Sequence, residues 1–541
     1  MAGARAMPGR RQRGFAMVAL ITLMTLMSAW LIATALQRTN SELARERDRT
    51  TLEALQKAKA ALIAYAASEQ WQLYRGEMWQ PGALPCPDRN GDGQADCWLP
   101  HTSSTIGRLP WKTLGIDELR DSSGEVLWYA LSASFRKAAG TSVINSDTTG
   151  QLRVTGSDPA TTVVAIVFAP GTALATQNRP ADISDPAHNN AANYLESFNV
   201  TDPVNYVFTS QNASTDSFND RLLVVTQAQI MAAVEPVVAA LIERDVKPFL
   251  STYLSEWGAY PFPARFDNPD PGTLGTGTTR AQSAYLGDAS QSAGLLPVTA
   301  SPGYAWTGGS GTATGGGMLS SCSDFGTGYG CIMWKFGTVP TNTVFTVQAQ
   351  FTNPGMSFAK LPAASAVTVQ GNFAPGSFSP TALTGTMSGA GTSGNVTYTG
   401  TYTGAACACW FWITIPDITI SALTSSSEGA SAAYWFIANE WYRQTFYAVS
   451  TGFLPGSGGA CNPSGTPSCL TVGNLPPSYA VANDKRAILV LAGRTLNGTD
   501  RPSSSLVDYL EGNNTTTTDS VFEHRAGVST SINDRVVVVA P

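Results

Sequence analysis

The sequence predicts an α+β protein with a long N-terminal helix, two helix-and-sheet heads in tandem, and an all-β domain inserted into the second head. Three observations lead to it. Residues 15–75 contain neither Gly nor Pro, although the chain holds 51 Gly and 32 Pro. A set of short landmarks occurs twice in the same order. A long stretch of alternating apolar and small polar residues interrupts the second set.

The helix comes first. Phe15 to Leu36 carries no charge over 22 residues, a length that predicts a membrane-crossing helix over 15–36. Arg5, Arg10, Arg11 and Arg13 precede it in a basic leader, 1–14, which implies an N-terminus held in the cytoplasm. Beyond the apolar run, Leu52, Leu55, Ala58, Leu62 and Tyr65 recur at steps of three and four, so an amphipathic helix is expected to continue to 75. About 60 helical residues would reach roughly 90 Å. Two readings compete at this end: a signal-peptidase site at Ala33-Thr34-Ala35, and an uncleaved single-span anchor.

In this segment the chain resembles the type IV pilins and type II secretion pseudopilins. The resemblance rests on the short basic leader ending at Gly14-Phe15 and on the apolar helix that follows. It implies a prepilin peptidase cutting after Gly14 and methylating Phe15. It also implies an inner-membrane location with the heads in the periplasm or, within a filament, at the cell surface. Partners would be other pilins or pseudopilins. The family commonly has Glu as the fifth mature residue, where this chain has Ala19. In the family that carboxylate faces a neighbouring subunit's terminal amine, a costly charge to bury unpaired. A subunit without it suits a filament tip, so the resemblance implies a minor, tip-type subunit.

The repeated landmarks define the heads. In 76–226 they are ALPCP (Ala83–Pro87), GRLPW (Gly107–Trp111), WYALS (Trp128–Ser132), AIVFA (Ala165–Ala169), Arg179-Pro180, NYLES (Asn193–Ser197) and FNDRLLVVT (Phe218–Thr226). In 227–541 they are AYPFP (Ala259–Pro263), GLLPV (Gly294–Val298), FYAVS (Phe446–Ser450), AILVLA (Ala487–Ala492), Arg501-Pro502, DYLEG (Asp508–Gly512) and INDRVVVVA (Ile532–Ala540). Each set is led by a helix, AALIAY (Ala60–Tyr65) and AALIER (Ala239–Arg244); the second is expected over 227–253, interrupted by Pro236 and Pro248. The β-branched apolar runs read as buried strands of small antiparallel sheets. The insert, 268–432, carries only eight charges and alternates as in TVFTVQAQF (Thr343–Phe351), which predicts a β-sandwich-like domain with an unknown ligand. A flexible linker is the plainer reading.

Composition narrows the function. Charged residues make up 13% and the formal net charge is −6, so no basic footprint for nucleic acid exists. The eight cysteines fall in local even groups, Cys86 and Cys97, Cys322, Cys331, Cys407 and Cys409, Cys461 and Cys469, which favours disulfides in an oxidising compartment over free thiols or zinc. Asp88, Asn90, Asp92 and Asp96, with the carbonyl of Gln94, match the first nine positions of an EF-hand loop, so a structural Ca²⁺ is expected. Leu99 stands where the bidentate Glu would be, and a disulfide-closed Asx-rich turn explains the same residues. The repeated Asn219-Asp220-Arg221 and Asn533-Asp534-Arg535 suit turn chemistry before a last strand. No nucleophile elbow, phosphate loop or zinc-protease pattern is present, and no catalytic residue is assigned. A structural filament subunit is therefore expected; a surface adhesin or carbohydrate-binding protein is second, and an exported hydrolase third.

Overall fold

The computed structural model describes residues 12–68, 80–97, 106–136, 143–182, 185–196, 199, 206–212, 214–266, 287–297, 306–313, 318–319, 323–324, 331–352, 368–371, 378–388, 393–402, 406–415, 433–496, 498, 501, 503, 505–525 and 531–541. The protein mixes helix and sheet, with four α-helices among the described residues. It divides into two compact units. One comprises 1–62, 85–132 and 151–225; the other comprises 63–84, 133–150 and 226–541.

Helix α1 (Gln12–Ala67) is continuous for 56 residues, as a Gly- and Pro-free run allows. The membrane assignment is corrected. Among the described residues no helix is long and apolar enough to cross a membrane. The bare apolar run whose side chains are described is 17–32, and it includes Thr22, Thr25 and Ser28. The transmembrane helix of the expected fold class is overturned, and the single-pass inner-membrane location built on it is not favoured. Residues 1–11 and 69–75, part of the expected leader and helix, lie outside the described residues.

Farther along α1, the buried stripe is Thr51, Ala54, Leu55, Ala58 and Leu62, while Leu52 is exposed. The helical period was legible, but the phase was shifted by small residues that carry little apolar signal. Thr51 Oγ1 donates to Ser122 Oγ at 3.0 Å, and Lys59 Nζ donates to the Val224 carbonyl at 2.9 Å.

The sheet of the first unit is built from β1 (Ile106–Arg108), β2 (Trp128–Leu131), β3 (Leu152–Gly156), β4 (Ala160–Ala169), β5 (Val207–Ser210) and β6 (Arg221–Thr226). The order is β1-β2-β4-β3-β5, with β6 also pairing β4. The β3–β5 pair is parallel, which departs from the expected antiparallel sheet. Trp128, Ile166, Phe168, Tyr194 and Phe208 form the core on one face.

In the second unit, α2 (Gln227–Leu241) starts at a capping box between Thr226 and Gln229. Its buried face carries Ile230, Met231, Val234, Val238 and Leu241. A π turn, Ile242–Val246, joins it to α3 (Lys247–Trp257), which Gly258 ends in a left-handed cap. Pro248 has no N–H to offer the preceding turn, so the ladder slips to the wider π spacing there. Pro236 sits inside α2 without ending it.

Strand β7 (Ala293–Leu295) precedes the insert. The insert itself holds β8 (Trp306–Ala313), β9 (Met318–Leu319), β10 (Ser323–Asp324), β11 (Cys331–Val339) and β12 (Thr343–Thr352). It continues with β13 (Thr368–Gly371), β14 (Phe378–Ser388), β15 (Ser393–Tyr402) and β16 (Cys407–Ile415). These make two sheets, β10-β11-β16-β13 and β14-β15-β12-β8-β9. After α4 (Tyr434–Ala438) come β17 (Thr445–Val449), β18 (Thr471–Gly473), β19 (Ala487–Leu491), β20 (Val521–Glu523) and β21 (Arg535–Ala540). The sheet order is β21-β19-β17-β7, and β18 pairs β20 in parallel.

Both units tie a proline-flanked segment to the first strand of the sheet in one way. Asp88 and Arg108 exchange backbone hydrogen bonds, and so do Ala264 and Leu295. That close approach requires glycine next door: a Cβ on Gly107 would meet the Asp88 carbonyl, and one on Gly294 the Ala264 carbonyl. Gly294→Ala is expected to cost about 1–3 kcal/mol in urea unfolding. Gly458→Ala, which meets nothing within 4 Å, serves as the reference. Equal midpoints for the two variants would remove this account.

Candidate functional site

A buried polar corner occurs once in each unit, built from the conserved-order landmarks of the sequence. In the first, Arg179 is 6% exposed. Its Nη1 donates to the Gly171 carbonyl at 2.7 Å, Nε to Asn193 at 2.9 Å and Nη2 to Tyr194 at 3.3 Å. The guanidinium lies 4.9 Å from the Tyr194 ring centre. In the second, Arg501 is 2% exposed and donates to Gly493 at 2.7 Å, Asp508 at 2.6 Å and Tyr509 at 3.3 Å, with 4.7 Å to the Tyr509 ring. Each arginine also has a carboxylate, Glu125 at 3.2 Å and Asp147 at 3.3 Å. A planar five-donor group can satisfy several carbonyls at once, which Lys cannot.

Behind each arginine, two carboxyl groups share one pocket. Glu196 Oε2 accepts the N–H groups of Asn219 and Asp220 at 3.0 and 3.1 Å. Asp220 Oδ2 accepts from the Glu196 N–H at 2.9 Å and from Asn199 Nδ2 at 3.0 Å. The second unit repeats this: Asn533 N–H to Glu511 Oε2 at 3.0 Å, and Glu511 N–H and Asn514 Nδ2 to Asp534 Oδ2 at 2.8 and 3.1 Å. Burial, and then the neighbouring Glu, push Asp220 and Asp534 well above the usual carboxylate range. Asp220 Oδ1 and Asp534 Oδ1 lack a donor. A retained carboxylic proton answers both facts, because it turns that oxygen into a donor toward the Glu.

The repeated Asn-Asp-Arg is thus the strand-side half of this corner. Its partners, Glu196 with Asn199 and Glu511 with Asn514, were not singled out from the sequence. The available signal was the shared spacing Tyr-Leu-Glu-x-x-Asn at 194–199 and 509–514.

The Asx loop folds on its own hydrogen bonds. Asp88 is 1% exposed; its Oδ1 accepts from Asn90 and Gly91 N–H at 3.2 and 2.7 Å, and Oδ2 from Gly93 N–H at 2.7 Å. Asn90 Oδ1 accepts from Asp92 N–H, Asp92 Oδ1 from Gln94 N–H, and Asp96 Oδ2 from Arg89 N–H, at 2.7–2.8 Å. Lys112 Nζ donates to the Asp92 carbonyl. Among the described residues no group of three or more His, Cys, Asp or Glu side chains gathers to hold a metal ion. Apart from Asp88 Oδ1, which already accepts two N–H groups, each side-chain oxygen named keeps a second lone pair, so the residue types remain compatible with calcium.

Disulfides join Cys86 to Cys97 around this loop and Cys461 to Cys469 near the end of the chain. Cys331, Cys407 and Cys409 lie in β11 and β16, but their side chains and Cys322 are outside what the structure describes. Gly14 and Phe15 fall in the first turn of α1, with their side chains likewise outside it. His188 Nδ1–H donates to the Pro180 carbonyl and His524 Nδ1–H to the Val536 carbonyl, and His101 lies outside the described residues.

With known protein families, characterised proteins and solved structures the chain shows no match.

Another buried carboxyl, Glu235 on α2, faces Arg494, taking its N–H at 2.7 Å and its Nη1 at 3.1 Å. Burial outweighs the arginines and pushes it up to about 7. Raised carboxyls mean that the folded chain holds protons the unfolded chain releases. Their stabilisation is full below about pH 4, near the unfolded values, and is lost as pH rises through about 7. Urea midpoints are therefore expected to fall between pH 5 and 8. Glu235→Gln should shallow that fall by up to about 1.4 kcal/mol per pH unit. A midpoint that rises over this interval would contradict the protonated assignment.

Proposed function

We propose that this chain is a minor pilin- or pseudopilin-type structural subunit that primes or tips a filament. In this reading it is processed as a prepilin and folded in an oxidising compartment. One observation carries it. Residues 17–32 of α1 are exposed on every side: Met17 68%, Leu20 59%, Leu23 58%, Met27 57% and Trp30 66%. A helix apolar all round needs cover, and each fully buried side chain of this size gains roughly 1.5–3 kcal/mol. Helices of sister subunits packed alongside supply that cover without a membrane span. Ala19, where the family has Glu, supports a position with no subunit above it. The two disulfides support an oxidising compartment. The insert offers two separate sheets for partner or surface contact.

Mass spectrometry of the mature chain tests this directly. The expected N-terminus is methylated Phe15; an intact Met1, or a start at Leu36 after signal-peptidase cutting, would sink the proposal. Calcium is a secondary part of the same reading, held by the 88–96 loop. Calorimetry should show uptake by the parent and its loss in Asp92→Ala. Equal heats from both would remove the ion.

A further inference from the structure

The second unit contains a cavity of about 450 Å³ that nothing above uses. Its walls include Phe266, Ala293, Phe446, Val490, Leu510 and Phe522. The first unit carries larger, buried side chains at the corresponding positions, as the register shows. Ala130 pairs Ile106 as Ala448 pairs Ala293, and Trp128 pairs Phe168 as Phe446 pairs Val490. The first unit thus has Ile106, Trp128 and Phe168, all at most 4% exposed, where the second has Ala293, Phe446 and Val490. Three positions on one face are smaller at once.

The mouth differs too. In the first unit Arg108 closes over Trp128 and Tyr194, at 5.3 and 5.0 Å from the ring centres. It is held there by the His188 carbonyl at 2.7 Å and Asn189 Oδ1 at 3.1 Å. Those two residues sit in the connection from Arg179 to Tyr194, fifteen positions long; Arg501 to Tyr509 is eight. The second unit has Leu295 in place of Arg108, so neither the arginine nor the loop residues that hold it are there. Gln291, Ser505, Asn514 and Thr517 stand in the lining instead, and none of the described lining residues is charged.

We infer that this cavity is a binding site for a small uncharged aromatic molecule of about indole size. The size falls within the roughly 300–1,000 Å³ of small-molecule sites, and the lining mixes aromatic and aliphatic side chains with neutral polar ones. The first unit shows what fills the same framework: the indole of Trp128 and the ring of Phe168. The neutral lining rejects a ligand that must bury charge. The inference is independent of the filament reading.

Titration calorimetry of the full chain with indole tests it, alongside two variants. Ala293→Ile/Val490→Phe rebuilds the first unit's packing inside the cavity, and Ser505→Phe obstructs the exposed mouth without touching the core. Saturable heat in the parent, weakened at least tenfold in both variants, is the expected result. No saturable heat in the parent, or undiminished binding in the Ser505→Phe protein, would overturn the site. Should the double variant fail to fold, Ser505→Phe alone decides.

Discussion

A buried guanidinium organises each unit of this protein. Arg179 and Arg501 have almost no contact with solvent, and each gathers three backbone carbonyls from two chain segments around a tyrosine ring. Carbonyls buried without donors would each cost roughly 1–3 kcal/mol. One arginine therefore lets an irregular corner lie against the strands that carry the core. The Glu–Asp pair behind it completes the corner on the other side, where burial and the neighbouring Glu push the Asp carboxyl well above the usual carboxylate range. Turn, strand end and core are fixed together in this way, which is why the sequence can vary so widely between the landmarks.

On that shared frame the two units diverged in opposite directions. The first extends its proline-flanked segment into the Asp88–Asp96 loop closed by the Cys86–Cys97 disulfide, and it fills its core with Trp128 and Phe168. The second has Ala264 where the first has Asp88, smaller residues on the facing strands, and a shortened connection beside Tyr509. It also accommodates an insert, with nine strands among the described residues, between β7 and α4 without disturbing the β7–β17 pairing. Packing closes the first unit and opens the second. The difference lies in side-chain volume, not in topology.

Helix α1 poses a separate physical problem. Its head-proximal half is amphipathic and buries a narrow stripe of small residues. Its N-terminal half is apolar on all sides and exposed. Those two halves have different solvents in mind, and the continuous backbone transmits the position of one to the other. Assembly with like helices resolves the conflict in the proposed filament.

Local chemistry was legible in the residues themselves. The absence of Gly and Pro predicted a continuous helix, the spacing of Cys86 and Cys97 and of Cys461 and Cys469 allowed local bridges, and the repeated motifs marked strand ends. Those features depend on near neighbours, so sequence separation hardly matters. What only the tertiary structure decided are relations across long separations: Glu196 against Asp220, Glu511 against Asp534, Glu235 against Arg494 some 259 residues away. It also decided that no helix among the described residues is long and apolar enough to cross a membrane, and that three positions on separate strands, each smaller than its counterpart in the first unit, line one cavity. A one-dimensional pattern records which side chains are apolar or charged, but burial, register and the protonation they impose arise only when distant segments share the same space.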